Sequence, residues 1–225
     1  MQDNAHTVQA ELTDKLSLLL KEKVNIVGCG RTDTGVHARE FYAHFEVENL
    51  IYTETDLIFK LNNFLPDDIV IYSIYKVPLD LHSRFSAISR TYRYYISLVK
   101  DPFKNGTSYY FNGPLNVDDM NNACAYLIDH TDFTSFSKLH SQTSTNNCII
   151  KSTQFEKINN ELIFTITADR FLRNMVRAIV GTLIEVGKGK MESSEINEII
   201  IAKNRARAGF SVPACGLFLE EVIYP

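Results

Sequence analysis

The sequence predicts an α+β fold built from two similar halves that share one mostly antiparallel sheet. Three observations predict it. Amphipathic segments of helical period alternate with short β-rich runs along the whole chain. The second half reads β-α-β-β-α-β, a split-βαβ order. The first half reads α-β-β-α-β, the same order without its first strand. The expected division is into residues 1–88 and residues 89–225.

Each element has its own local reason. Thr7 is placed to cap a helix running to about Lys23, with Val8, Leu12, Leu16, Leu19 and Leu20 on one face. Val24 to Cys29 is expected as a short strand, followed by a glycine-bounded loop, Gly30 to Gly35. Phe41, Ala43, Phe45 and Val47 alternate, as in a half-buried strand. Thr53 and Asp56 have capping-box spacing for a helix through Phe64, and Leu65-Pro66-Asp67-Asp68 ends it. Ile69 to Val77 is β-rich and expected as a strand.

In the second half Arg90 to Val99 is aromatic and alternating, and Asn116 is placed to cap a helix from Val117 to Asp129. Cys148–Ile158 and Leu162–Ala168 flank Asn159-Asn160, a hairpin signal. Phe171 to Val186 is a long apolar helix closed by Gly187. Ser194 to Ala202 is a further helix, and Gly216 to Tyr224 a closing strand.

The chain has 225 residues, 45% of them hydrophobic and 22% charged, which is ordinary for a globular protein with a sizeable core. It contains no apolar run of about 18 residues and opens on the polar Met1-Gln2-Asp3-Asn4, so it reads as cytoplasmic, with no membrane partner. Cys29, Cys124, Cys148 and Cys215 are far apart, and the six histidines show no ligand spacing; no disulfide framework and no metal site is expected. The net charge of −4 argues weakly against nucleic acid. Its distribution argues the other way. All ten arginines fall in four short stretches: Arg31 and Arg39; Arg84, Arg90 and Arg93; Arg170, Arg173 and Arg177; Arg205 and Arg207. A fold that gathers these stretches would offer a basic cleft to phosphates, whereas scattered solvated arginines would offer nothing.

The most specific signal is the run from Gly28 to Ala38, GCGRTDTGVHA. Flanking glycines permit a sharp turn and close ligand approach, and display Asp33 at the tip of a loop. Taken alone, Asp33 could be a turn aspartate making an Asx contact, which is the commoner case. No Gly-Lys-Ser/Thr follows, so the run is not a P-loop. His37 and Cys29 read as structural. Arg177 is harder to explain away, because it lies in an apolar helix beside Met175, Val176, Ile179 and Val180. A buried arginine requires an anion, and Asp33 is the natural one.

Gly30 to Ala38 closely resembles the GRTDxGVHA signature of the TruA family of tRNA pseudouridine synthases. Further matches follow in order: Thr7-Val8-Gln9, Leu65 to Ile69, HSRFSAISRTYRY from His82 to Tyr94, Asp132 to Phe136, Phe171 to Gly187, and Gly209 to Leu219. They cover nearly the whole chain. The family normally begins with a further strand carrying YDGT and FxGWQ; this chain has no Trp, and that strand is expected to be absent from it.

The resemblance implies a pseudouridine synthase fold with a catalytic cleft between two ferredoxin-like halves. It implies uridine isomerisation in the anticodon stem-loop at tRNA positions 38, 39 and 40, by a homodimer that uses no cofactor and no metal. It places the nucleophile on Asp33, the residue that stacks on uracil and takes the C5 proton on Tyr92, and the partner of the aspartate on Arg177. Leu217 would line the uracil pocket and Arg31 would contact phosphate near a flipped nucleotide. Arg84, Arg90, Arg93, Arg173, Lys203, Arg205 and Arg207 would hold phosphates without reading bases. Without the resemblance, Tyr92 reads as sheet packing beside Tyr94 and Tyr95. Two other functions stay open: a non-catalytic tRNA-binding module, and a pseudouridine synthase with another RNA target.

Overall fold

The computed structural model describes residues 7–138 and 145–225; the polar opening Met1 to Asn4 lies outside them. The chain forms two compact units, one of Met1–Gly30 and Tyr42–Ser86, the other of Arg31–Phe41 and Ala87–Pro225.

The first unit packs α1 (Val8–Leu20) and α2 (Glu54–Phe64) around Leu16, Leu20, Val24, Ile26, Leu57, Leu61 and Leu65. Both caps form as the sequence predicts. Thr7 Oγ1 accepts from the Ala10 N–H at 3.1 Å, and Thr53 Oγ1 accepts from the Asp56 N–H at 3.1 Å while donating to the Asp56 carboxylate at 2.7 Å. α1 stops at Leu20 rather than near Lys23, because Lys21 turns to the left-handed region at φ 57°. β1 (Val27–Gly28) and β3 (Ala43–His44) form an antiparallel ladder of their own. The expectation of one shared sheet is thereby corrected. The Val27 carbonyl accepts from Ser83 Oγ at 2.7 Å, a side chain taking a bond that a third strand would have made. Residues 69–77 form no strand either. The Asn62 side chain accepts from the Ile71 N–H at 2.7 Å and donates to the Ile71 carbonyl at 2.9 Å, so a side-chain amide serves Ile71 in place of a neighbouring strand.

The second unit contains β2 (His37–Ala38), β4 (Ser89–Ser97), β5 (Tyr109–Tyr110), α3 (Val117–Ile128), β6 (Ile150–Ile158), β7 (Glu161–Ala168), α4 (Met175–Gly187), α5 (Glu195–Ile201) and β8 (Leu217–Ile223). Its six-stranded sheet runs β2-β8-β4-β7-β6, with β5 beside β4. The sheet is mixed: β2–β8 and β4–β5 are parallel, and the other pairs antiparallel. The β6–β7 hairpin turns at Asn159, φ 54°. Leu162, Phe164, Ile166 and Ala168 of β7 are fully buried, together with the apolar residues of α3 and α4.

α4 begins at Met175, four residues later than the apolar pattern suggests, because Asn174 adopts φ 66° and breaks the helical run. Within α4 only Arg177 and Glu185 are not buried. Gly181 of α4 lies against the Phe210 backbone, and Gly209 against the Thr182 backbone. This close crossing carries the 209–212 segment directly over the helix. Among the described residues no helix is long and apolar enough to cross a membrane.

Candidate active site

Asp33 is held by the chain that follows it. The Val36 N–H donates to the Asp33 carbonyl at 3.1 Å, closing a turn in which Gly35 takes φ 82°, a conformation that side-chain-bearing residues disfavour. β2 then pairs in parallel with β8, His37 opposite Phe218 and Ala38 opposite Leu219, and the Arg39 N–H donates to the Leu219 carbonyl at 2.8 Å. The side chains reinforce that register. The His37 ring stacks on Phe218 at 4.5 Å, and Arg39 Nε donates to Glu220 at 3.2 Å.

Two arginines from around the start of α4 meet the Asp33 carboxylate. Arg177 Nη1 donates to Oδ2 at 3.1 Å, and Arg173 Nε approaches Oδ1 at 3.5 Å. Arg177 is itself fixed, because its Nε donates to the Val212 carbonyl at 2.7 Å, and the Val212 N–H returns a bond to the Arg177 carbonyl at 3.2 Å. The 209–212 segment is tied in turn: Asn174 Nδ2 donates to Ser211 Oγ at 2.6 Å, and the Gly209 N–H to Thr182 Oγ1 at 2.8 Å. The Asp33 side chain keeps 25% of its surface exposed, against 19% for Arg177 and 54% for Arg173. The result is a carboxylate of fixed direction that solvent, and a ligand, can still reach.

Tyr92 and Leu217 belong to neighbouring strands of the same sheet. Tyr92 pairs with Ile166 on one side and Leu219 on the other, just after a bulge at Thr91/Tyr92. Its ring meets Phe171 edge-on at 5.1 Å, which ties it to the segment leading into Arg173 and Arg177. Leu217 is 6% exposed and lies opposite Tyr94. Burial pushes the Tyr94 hydroxyl well above its ordinary pKa and keeps it a donor; it donates to the Pro213 carbonyl at 2.7 Å and anchors the turn before Leu217.

The remaining residues that the resemblance points to differ in exposure and surroundings. Arg31 and Arg93 are exposed in the second unit, and Arg84 is exposed in the first with its guanidinium 5.5 Å from the Phe85 ring centroid. Arg90 donates to the Asp169 carbonyl at 3.0 Å, Lys203 pairs with Asp132 at 2.8 Å, and Arg207 lies 3.8 Å from Glu198. Arg205 donates to the carbonyls of Ala208 and Gly209 at 3.3 and 3.0 Å and to Ser211 Oγ at 3.0 Å, which makes it a brace for the segment that holds Arg177. Reading the sequence alone placed Arg173 among phosphate contacts and missed its approach to Asp33. No local signal could have found it, because Arg173 lies before α4, on the far side of the left-handed Asn174. Among the described residues no group of three or more His, Cys, Asp or Glu could hold a metal ion.

A family model described as tRNA pseudouridine synthase matches residues 123–225. Curated proteins match over the full length. The tRNA pseudouridine synthase A of Parabacteroides distasonis is 49% identical over 225 residues, 100% of this chain and 89% of its own. That of Porphyromonas gingivalis is 47% identical, covering 100% of this chain and 90% of its own. That of Clostridium acetobutylicum is 40% identical, with 99% and 92% covered.

Proposed function

The chain belongs to the tRNA pseudouridine synthase A family and is an isomerase, and on that premise we propose that it converts uridine to pseudouridine at positions 38, 39 and 40 of the tRNA anticodon stem-loop. The observation that carries this reading is the Asp33 carboxylate, partly exposed and aimed by a guanidinium that is itself fixed to the Val212 carbonyl.

In the proposed reaction the N1–C1′ bond breaks, the freed uracil turns, and C5 bonds to C1′. C5 loses a proton to a base and N1 gains one, so the atoms of the nucleotide are conserved. Asp33 is the nucleophile, adding at C6 of uracil or C1′ of ribose and leaving before the product departs. Arg177 orients it. Uracil inside a stacked stem is out of reach, so the target nucleotide flips out. Tyr92 then stacks on the base and takes the C5 proton, and Leu217 lines the pocket. Arg31 and the further cations Arg84, Arg90, Arg93, Arg173, Lys203, Arg205 and Arg207 hold RNA phosphates, those with internal partners by exchanging them. The chemistry transfers no electrons and no external group, so it proceeds without metal or cofactor. The protein works in the cytoplasm as a homodimer, each copy built of two α+β halves, residues 1–88 and 89–225.

The test is pseudouridine formation by the purified full chain in unmodified tRNA bearing uridine at positions 38 to 40, without added metal or cofactor. New pseudouridine confined to those positions is the expected result. Modification elsewhere would reject the target, and none at all, with tRNA bound, would reject the catalytic reading.

A further inference from the structure

The two guanidinium groups on Asp33 are unequal. Arg177 is fixed at both ends, with Nε on the Val212 carbonyl at 2.7 Å and Nη1 on Asp33 Oδ2 at 3.1 Å. Arg173 touches Oδ1 through Nε alone, at 3.5 Å, the outer limit of a hydrogen bond. Its side chain is 54% exposed, and its two terminal nitrogens have no partner among the described residues. It lies outside α4, which starts at Met175. A long, solvated contact of this kind is weakly held.

A charged donor on a carboxylate oxygen occupies one of its lone pairs and weakens it as a nucleophile. With Oδ2 on Arg177 and Oδ1 on Arg173, both carboxylate oxygens carry one. Arg177 has the stronger tether, so Oδ1 is the oxygen to be released. A phosphodiester is a better partner for Arg173 than the contact it has, because the terminal nitrogens would join in a bidentate, charge-assisted contact with two phosphate oxygens.

Building on the reading of Asp33 as the nucleophile, we propose that Arg173 is a latch: it masks Oδ1 in the RNA-free protein and moves to a backbone phosphate of bound RNA, which frees Oδ1 to attack. Arg173 is thus a positioning residue whose release couples substrate arrival to the exposure of the nucleophile. Arg177 cannot play this part, because moving it would break its bond to Val212 as well.

The test uses the full chain as wild type, Arg173→Ala and Arg173→Lys, with unmodified tRNA as the probe. First, Asp33 is labelled without RNA by a water-soluble carbodiimide and quantified by peptide mass; Arg173→Ala is expected to label at least threefold faster. Second, tRNA affinity is measured between about 50 and 200 mM salt. Losing one phosphate contact should lower the logarithmic salt slope by about 0.7–0.9 in Arg173→Ala, and Arg173→Lys should restore it. Third, in steady state the loss should fall on KM, raised about tenfold, rather than on kcat. Unchanged labelling or an unchanged salt slope overturns the latch. So does a tenfold fall in kcat with KM unaltered, because the guanidinium would then remain on the carboxylate throughout the reaction. The first two readouts need no turnover, so a wild-type protein that binds tRNA but makes no pseudouridine refutes the catalytic reading and still decides the latch.

Discussion

Gly181→Ala probes the crossing that fixes the site. By local propensity the change should stabilise the protein, since alanine in a helix interior is favoured over glycine by about 1 kcal/mol. The crossing reverses the sign. A Cβ at Gly181 would lie 1.8 Å from the Phe210 carbonyl oxygen and 2.9 Å from its carbon. An ordinary carbon–oxygen contact is about 3.3 Å, so the Phe210 backbone would have to retreat by roughly 1.5 Å. Overpacking of this kind costs about 1–3 kcal/mol. Retreat also strains the bonds from Gly209 to Thr182, from Val212 to Arg177 and from Arg177 Nε to Val212, each worth about 1 kcal/mol. The net effect is a destabilisation of about 2–4 kcal/mol, or a fall in Tm of roughly 5–15 °C for a chain of this size. Because the Val212 carbonyl orients Arg177, pseudouridine formation below the new Tm should fall more than tenfold. Thermal unfolding followed by circular dichroism, with a tRNA assay on the same preparation, checks both. A Tm equal to or above wild type would mean that propensity wins and that the crossing does not fix Arg177.

Five further changes are informative. Asp33→Ala should abolish pseudouridine formation while the Kd for tRNA stays within about threefold, since phosphate contacts supply most of the affinity; residual turnover rejects the nucleophile. Arg177→Lys keeps the charge but cannot bond Val212 and Asp33 together, so kcat should drop about a hundredfold or more, and near-normal kcat would show that charge alone suffices. Arg31→Ala should weaken tRNA binding and flatten its salt dependence by about one contact, whereas Arg205→Ala should chiefly lower the Tm, because three of its bonds brace the 208–211 segment; equal Tm values for the two variants would contradict the bracing role. Partial burial pushes the Asp132 carboxyl up, but bonds from Lys203 and Thr134 outweigh it and hold the group below its ordinary 3.8. A depressed folded-state value stabilises above the unfolded one and is lost as pH falls through the folded one. Asp132→Asn should therefore cost up to about 1 kcal/mol at pH 7, with the gap in urea midpoints closing as pH falls below 3.8; a gap that widens in acid would refute the sign.

Asp33 and Arg177 are 144 positions apart, yet their pairing was legible. The reason is physical: a guanidinium in a helix whose other residues are nearly all apolar must find an anion, and the glycine-bounded loop displays one. Arg173 carries the same charge but lies on exposed chain before α4. Nothing local demands a partner there, so its approach to Asp33 could only be seen in three dimensions. The same contrast separates the fold elements. β7 alternates over its eight residues, β6 is joined to it across a hairpin-turn signal, and β4 is rich in aromatics, so all three were readable within a residue or two. β2 is two residues long and parallel to a strand that lies beyond α5, and a two-residue strand has no period to read. Residues 69–77 show the converse error, since β-propensity describes how a side chain fits a pleated surface and says nothing about whether a neighbouring strand exists. It is β2, the element without a local signal, that holds the chain just after Asp33. The sequence could therefore identify which groups meet at the site, but the device that aims them rests on long-range register and on the glycine crossing at Gly181 and Gly209.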